Sequence, residues 1–392
     1  RRMLVEDPEN EMVANGAGSP FDGTPNILLI TGSLQGGGAE RVISDMANYW
    51  ANKCWNVTFA TWCSPEVADF YSLAPGIKRA WLDVYSPNDS VFSKIKSNLG
   101  RIQKLRGLIR KTKPDIILSF LTVSNLLTIT ACMGLKQHVV ISERNNPILE
   151  NRITIPWKIL RRLFYAHADT VIVQTNDLKL WIDEHCRIKS MVIPNPLREM
   201  PKLSYKRENL IVAVGNLSKQ KGFDLLLRAF SRIASEFNEW RVAIVGQGNE
   251  YEKLMQLRND LMLEHRVDFI GQSDEVEKWM AQSGLVVQPS RFEGFPNVLL
   301  EAMSMGAPVI SADCEFGPSD IIQDGVNGRL VPVEDVSTLA RVIAEMICQP
   351  ALREQMGLEA MKVRETYKQD KIMEQWEQSI FKLQGSSKKQ IG

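Results

Sequence analysis

Two glutamates and the loop between them are the residues of this chain best spaced to do chemistry. Glu293 and Glu301 stand at the two ends of Glu293-Gly294-Phe295-Pro296-Asn297-Val298-Leu299-Leu300-Glu301. Ahead of them the apolar run Gly284-Leu285-Val286-Val287-Gln288 has the pattern of a buried strand. Pro296 suits the first turn of a helix, where a missing N–H costs nothing, so a helix is expected to start there. Such a start leaves the amides of Asn297, Val298 and Leu299 without intrahelical partners. Free amides at the positive end of a helix dipole favour an anion, typically a phosphate. A carboxylate accepts two hydrogen bonds at once and so suits sugar hydroxyls. One loop could therefore hold a phosphate between two polyol-binding carboxylates. The same spacing also fits two solvated glutamates flanking an ordinary helix start.

The elements that must position this loop follow an alternating pattern. Asn26–Thr31 reads as a buried strand that ends in Gly32 and the cluster Gly36-Gly37-Gly38. A helix over Ala39–Asn52 has an apolar face of Val42, Ile43, Met46, Ala47 and Trp50, and Val57–Trp62 is the next strand. Strand, glycine loop, helix and strand make the start of a βαβ unit. Further strands are expected at Asp115–Phe120, Val139–Ser142 and Thr170–Val173, after which Thr175 caps a helix through Cys186. Pro194, Pro196 and Pro201 punctuate a linker. The pattern then restarts with strand Leu210–Val214, helix Phe223–Phe237, strand Arg241–Val245 and helix Glu250–Leu261. Strands Val267–Ile270 and Leu285–Gln288 follow, with late helices over Leu352–Thr366 and Ile372–Leu383. The expected fold class is α/β, with two Rossmann-like doubly wound domains and a cleft between them. Neither Gly32/Gly36 nor Gly246/Gly248 completes a G-x-G-x-x-G, which disfavours a dinucleotide-dependent dehydrogenase.

A chain of 392 residues is too long for one ordinary core. Its boundaries are read as a tail over 1–24, an N-terminal domain over 25–200, a C-terminal domain over 201–370 and a closing helix and tail over 371–392. The first 24 residues are polar and acidic, the composition of a disordered tail or an expression remnant, and contain no signal peptide. The formal net charge of +1 hides an asymmetry: residues 25–203 carry 23 Lys+Arg against 14 Asp+Glu, +9, and residues 204–392 carry 22 against 27, −5. A basic half beside an acidic half suits contact with an anionic surface through the first. Lys94–Lys113 holds Lys94, Lys96, Arg101, Lys104, Arg106, Arg110, Lys111 and Lys113 with no acidic residue. Leu99, Ile102, Leu105, Leu108 and Ile109 recur there at helical spacing, giving a basic amphipathic helix that either lies on an anionic membrane or is simply solvated. Nucleic acid is disfavoured, because no stacking aromatics are interleaved. Ile116–Leu135 is broken by polar residues and reads as strand, loop and buried helix rather than a span. The six cysteines have neither C-x-x-C nor metal-site spacing and read as reduced core thiols of a cytoplasmic protein.

Glu293 and Glu301 around Gly294-Phe295-Pro296 resemble the E-x7-E motif of the retaining family-4 glycosyltransferases, which adopt the GT-B fold. The resemblance extends through Ala302–Ile310, Gly317–Ile322 and Asp324–Val331. Gly215-Asn216-Leu217 with Lys221-Gly222 is similar to the family's phosphate-binding segment, and Gly36–Val42 to its N-terminal loop. The resemblance runs from about Asn26 to about Thr366, and within the family it is nearest to bacterial transferases that extend lipid-linked surface glycans. It implies a nucleotide-sugar donor, UDP before GDP, a glycan acceptor that is polyprenyl-diphosphate-linked or of lipopolysaccharide type, and a peripheral position on the cytoplasmic face of a membrane. The last helices would pack back across the linker.

The resemblance also assigns roles. Glu301 takes the nucleotide ribose, Glu293 holds a hydroxyl of the donor sugar, and Ile270 with the Gly246/Gly248 loop borders the base. Gly37 and Gly38 face acceptor and donor phosphates. No D-x-D triplet occurs and the four histidines form no ligand cluster, so no metal and no other cofactor is expected. The leaving diphosphate would be neutralised by Lys221, the amides behind Pro296 and glycine-loop amides. Glu293, Lys221 and Arg144 are the catalytic candidates, with no general base assigned, as in a front-face mechanism. Two positions depart from the family. Asn216 stands where Arg is usual, leaving Lys221 and Lys219 to neutralise the phosphate. Arg144, in Ser142-Glu143-Arg144-Asn145, stands where relatives often have His, and either compensates for it or meets a different sugar or a phosphate. Two other classes stay open: a nucleotide-sugar epimerase of the same fold, and a degenerate partner that binds nucleotide or glycan without turnover.

Overall fold

A computed structural model of the chain describes residues 23–83, 91–144, 146–147, 154–201, 203 and 205–387. Most of the acidic tail (1–22), Asn145, Lys388 and Lys389 lie outside the described residues, as does the Lys94 side chain.

Short apolar runs become two parallel sheets. The first contains β1 (Asn26–Thr31), β2 (Asn56–Thr61), β3 (Lys78–Trp81), β4 (Ile116–Phe120), β5 (His138–Ser142), β6 (Thr170–Val173) and β7 (Met191–Val192), in the order β3-β2-β1-β4-β5-β6-β7. The second contains β8 (Leu210–Val214), β9 (Arg241–Val245), β10 (Val267–Gly271), β11 (Leu285–Gln288), β12 (Val309–Ala312) and β13 (Arg329–Val331), in the order β10-β9-β8-β11-β12-β13. Both orders are the doubly wound Rossmann order. Helices cover both faces of each sheet, so a central strand such as β4 is buried at every residue and reads as a continuous run rather than an alternation. The two domains face each other across a cleft, the GT-B architecture that the resemblance implies.

Several elements differ from the expectation. The helix expected over Phe223–Phe237 ends at Ile233, and the one expected over Leu352–Thr366 is split into Pro350–Ala360 and Val363–Thr366. The basic helix is Val91–Thr112. Between β4 and the helix Thr122–Cys132 only Leu121 remains of the expected loop, at φ 76. Strands β3, β7, β12 and β13 and the helix Ile155–Phe164 have runs too short, or too mixed, to stand out from the sequence.

The chain crosses between the domains twice, side by side. The Leu197 amide donates to the Tyr367 carbonyl at 2.7 Å where the two crossings touch. Beyond the second crossing the helix Gln369–Ser387 returns to the first domain and places Ile372, Met373, Trp376 and Ile380 in its core. There the Trp376 ring lies 6.1 Å from Phe120, and Glu377 accepts from Trp50 Nε1 at 3.2 Å and Lys53 Nζ at 2.8 Å.

Candidate active site

In a doubly wound sheet the carboxyl ends of the strands open a crevice where the strand order reverses. In the second sheet that point lies between β8 and β11. Lys221, at the end of the single 3-10 turn Lys219–Lys221 after β8, donates Nζ to Glu293 Oε1 at 2.8 Å. The same oxygen accepts from Ser290 Oγ at 2.6 Å and Gln288 Nε2 at 2.7 Å, and Glu293 is only 4% exposed. The backbone permits this approach because residue 222 is glycine. Gly222 has φ 67, and a Cβ there would lie 2.1 Å from the Pro289 carbonyl oxygen. Arg291 points the other way and pins the loop, forking onto Asp224 through two 2.8 Å bonds and reaching Glu334 at 2.6 Å.

The helix after this loop starts one residue later than expected. Pro296 is its N-cap rather than its first helical residue, and the helix is Asn297–Ser304. The Asn297 amide is not free: it donates to the Phe295 carbonyl at 3.0 Å, because the chain turns tightly through Pro296. Val298 and Leu299 still have no helical carbonyl four residues behind them, so their amides point back at the loop. Gly294 and Pro296 complete the turn, and Phe295 is buried beneath it with its ring 6.3 Å from that of Tyr367. The loop after β12 closes over Pro296, and Gly317 (φ 134) allows it: a Cβ there would lie 2.5 Å from Pro296 Cδ.

Of the other predicted residues, Gly38 reaches this helix start from the first domain, whereas Asn216, Gly246 and Ile270 lie together at the ends of β8, β9 and β10. Gly37 is the N-cap of the helix Gly38–Asn52 at the end of β1, and its carbonyl accepts from the Arg41 amide at 3.0 Å. Gly38 sits so near that a Cβ would lie 3.3 Å from Asn297 Nδ2. Asn216 lies against the loop after β9: a Cβ on Gly248 would meet Asn216 Oδ1 at 2.2 Å, and one on Gly246 would meet the Gly215 carbonyl at 1.9 Å. Ile270, half-buried at the end of β10, adjoins this loop through the Gly246 amide, which donates to Gly271 at 2.8 Å.

Glu301 is 4% exposed and held by two arginines. Arg41 Nη1, from the first domain, lies 2.8 Å from its Oε1, and Arg198 Nε, from the crossing, lies 3.2 Å from the same oxygen. Arg198 also pairs with Glu277 at 2.5 Å. Burial works against its charge, but the two carboxylates hold its pKa above the ordinary arginine value. Arg144 is 4% exposed and lies with its guanidinium 4.2 Å from the Phe120 ring and 5.5 Å from that of Trp376. It donates Nε to Ser142 Oγ at 2.8 Å and Nη1 to Asn195 Oδ1, while Asn195 Nδ2 donates to Asn297 Oδ1 at 2.8 Å. Arg144 thus reaches the helix start through Asn195. Burial lowers its pKa, with Glu143 opposing, yet a guanidinium keeps its proton at neutral pH.

Arg41, Arg198, Asn195, Ser290 and Gln288 were not assigned from the sequence. Arg41 lies in the Gly36–Val42 loop, Gln288 ends the strand ahead of the site and Asn195 sits between two linker prolines, but nothing local gave any of them a role. Among the described residues no group of three or more His, Cys, Asp or Glu could hold a metal ion. What the site presents is one lysine and two helix amides beside a buried carboxylate, an arrangement that stabilises negative charge growing on a leaving group.

Two family models match the chain. Glycosyltransferase Family 4 matches residues 36–198 and Glycosyl transferases group 1 matches residues 198–363. A Campylobacter jejuni relative is named GalNAc-alpha-(1->4)-GalNAc-alpha-(1->3)-diNAcBac-PP-undecaprenol alpha-1,4-N-acetyl-D-galactosaminyltransferase; it is 26% identical over 92% of this chain and 99% of its own. The fold is shared with sucrose-phosphate synthase of Thermosynechococcus elongatus (TM-score 0.79, 20% identity, 93% of this chain and 100% of that one). It is also shared with the Anabaena protein HepE in complex with UDP (TM-score 0.72, 18% identity, 91% and 99%). The family matches meet at residue 198, on the arginine that grips Glu301, and together they span both domains and the cleft between them. The chain belongs to the GT-B glycosyltransferases that join a Family 4 domain to a group 1 domain.

Proposed function

We propose that the protein transfers a hexose or N-acetylhexosamine from a UDP-sugar to a lipid-linked glycan during bacterial surface-glycan synthesis, retaining anomeric configuration and using no metal. The observation behind this reading is the Lys221–Glu293 contact of 2.8 Å at the strand-order reversal, directly before the Asn297–Ser304 helix. Lys221 and the Val298 and Leu299 amides neutralise the leaving diphosphate, which then needs no cation bridge. Glu293 holds a hydroxyl of the sugar. Glu301 receives the ribose once Arg41 or Arg198 yields one of its oxygens.

Support for UDP comes from HepE, solved in complex with it. Support for a lipid-linked acceptor comes from the undecaprenol diphosphate in the Campylobacter relative's name, and support for retention from that name's alpha linkage. The same reading has the protein act at the cytoplasmic face of a membrane, the position that the family resemblance implies.

The test is thermal unfolding with UDP, GDP, ADP and NAD, wild type beside Glu301→Ala. A ligand that binds the folded state alone raises its stability by mass action. UDP is expected to raise the midpoint of the wild type and to lose that effect in the variant. A response to none of these nucleotides would overturn the reading.

A further inference from the structure

Arg41 holds the carboxylate that the proposed function gives to the ribose. It enters from the first domain, Nη1 lying 2.8 Å from Glu301 Oε1. Arg198, the other partner of Glu301, grips harder. It forks onto both oxygens, Nε to Oε1 at 3.2 Å and Nη2 to Oε2 at 3.4 Å, and also holds Glu277 at 2.5 Å. Among the described residues Arg41 forms no ion pair besides the one with Glu301. Arg41 is therefore the arginine that a pair of ribose hydroxyls can displace. Arg198 stays behind, so the buried carboxylate is never left without a counter-charge.

Where Arg41 then goes is set by two helices that start together. A Cβ on Gly38 would lie 3.3 Å from Asn297 Nδ2, and one turn later Arg41 meets Glu301. The helices Gly38–Asn52 and Asn297–Ser304 thus run side by side over their first turns. A helical side chain leans toward the N-terminus of its own helix and covers the turn before it. For Arg41 that turn holds Gly37 and Gly38, about 5.4 Å back along the axis. The Val298 and Leu299 amides start the neighbouring helix there, where the leaving diphosphate is placed by the proposed function. A diphosphate carries more negative charge than this helix start yet matches. Lys221 brings one positive charge, which Glu293 already meets at 2.8 Å, and Asn216 brings none. A guanidinium adds a charged fork of donors suited to phosphate oxygens.

We propose that Arg41 is a further donor-binding residue, which covers Glu301 in the empty site, yields it to the ribose hydroxyls and moves onto the diphosphate. Ribose and phosphate recognition become one event, because the hydroxyls that take Glu301 set the phosphate ligand free. A nucleoside without phosphates breaks the Arg41–Glu301 pair and gives the freed charge no partner. This deepens the UDP-sugar reading, on which it rests.

Affinities of the full chain for uridine and for UDP would be read from ligand-dependent unfolding midpoints, which report weak binding as well as tight. In Arg41→Ala, uridine is expected to bind at least as tightly as in wild type. The advantage of UDP over uridine should shrink about tenfold or more, the usual loss of a charge-assisted contact. Arg198→Ala should weaken both ligands alike, since Arg198 positions Glu301 without reaching the phosphates. Unliganded midpoints certify that each variant folds, and Arg41→Gln reads the same ratio where the alanine variant does not. The proposal is overturned by an unchanged ratio in Arg41→Ala, by uridine affinity that falls with it, or by an equal fall of the ratio in Arg198→Ala. A wild type that answers to no nucleotide would overturn the UDP reading itself, whereas UDP binding with an unchanged ratio removes only the role of Arg41.

Discussion

Around Glu293 three donors, Lys221, Ser290 and Gln288, meet one carboxylate oxygen. The bonds from Ser290 and Gln288 orient the carboxylate, while that from Lys221 brings a positive charge to the helix start. Replacing Lys221 by Ala leaves the other two bonds in place, so the carboxylate stays oriented and the charge is lost. Turnover should fall by about a hundredfold or more, the usual effect of deleting one group that stabilises developing charge, and the midpoint shift by UDP should shrink as well, because the diphosphate that Lys221 neutralises is UDP's own. Steady-state kinetics beside thermal unfolding would check both. The thiols permit a second test. Cys132, Cys186 and Cys314 are buried, while Cys54 and Cys348 are exposed, so the expectation of core thiols does not hold for these two. Burial, reinforced at Cys314 by the charge of Glu293, pushes that thiol up to about 12, and burial pushes Cys132 up to about 12 and Cys186 to about 11. Thiolate is the nucleophile. Native alkylation at pH 8 should therefore label Cys54 and Cys348 and spare the buried three, as peptide mass mapping would show.

At the scale of elements, close approach between loops is the site's main device, and glycines permit it. The loops after β8 and β11 touch at Gly222, and those after β8 and β9 touch at Gly246. Gly222→Ala would place a methyl against the Pro289 carbonyl and hold a left-handed backbone, at a cost of at least about 2 kcal/mol. Since Lys221 is the preceding residue, turnover should fall along with stability. Denaturant titration and kinetics on the same variant check both, and unchanged stability would contradict the packing described. The helix start at Asn297 has a similar logic: Pro296 sets the turn, Gly317 lets a neighbouring loop cover it, and Asn195 reaches it from the linker.

Across the whole molecule, the two domains are tied by residues remote in sequence. Arg41 crosses the cleft to Glu301, Asn176 Nδ2 donates to Asp320 at 2.9 Å, and Phe316 of the second domain joins the buried core of the first. The C-terminal helix belongs to the first domain's core, with Trp376 fully buried among its strands and stacked near Arg144. Trp376→Ala should cost about 3–5 kcal/mol, the range for emptying a large core site. It should also loosen Arg144, and through Asn195 the phosphate-facing helix, so nucleotide affinity should fall with stability. Urea unfolding and UDP titration of the variant test that coupling.

Much of this was written into local sequence. Runs such as Asn26–Thr31 and Leu210–Val214 read as buried strands because they are nearly continuous and apolar, the pattern of a strand covered on both faces, and Gly-Phe-Pro between two glutamates marks a strand-to-helix turn. The strands appear at or within a residue of their expected bounds wherever a continuous apolar run announced them. Strands β3 and β7 and the helix Ile155–Phe164 were hidden because β3 is only partly buried, β7 has two residues, and the helix is apolar on more than one side, burying Arg161 while Ile155, Ile159 and Leu163 stay exposed. Which charges meet was decided by tertiary structure alone. Glu301 and Arg41 lie 260 positions apart, and nothing local to either names the other. Local pattern determines an element because its physics acts over a few residues. Ion pairs across a cleft depend on how two finished domains come to rest.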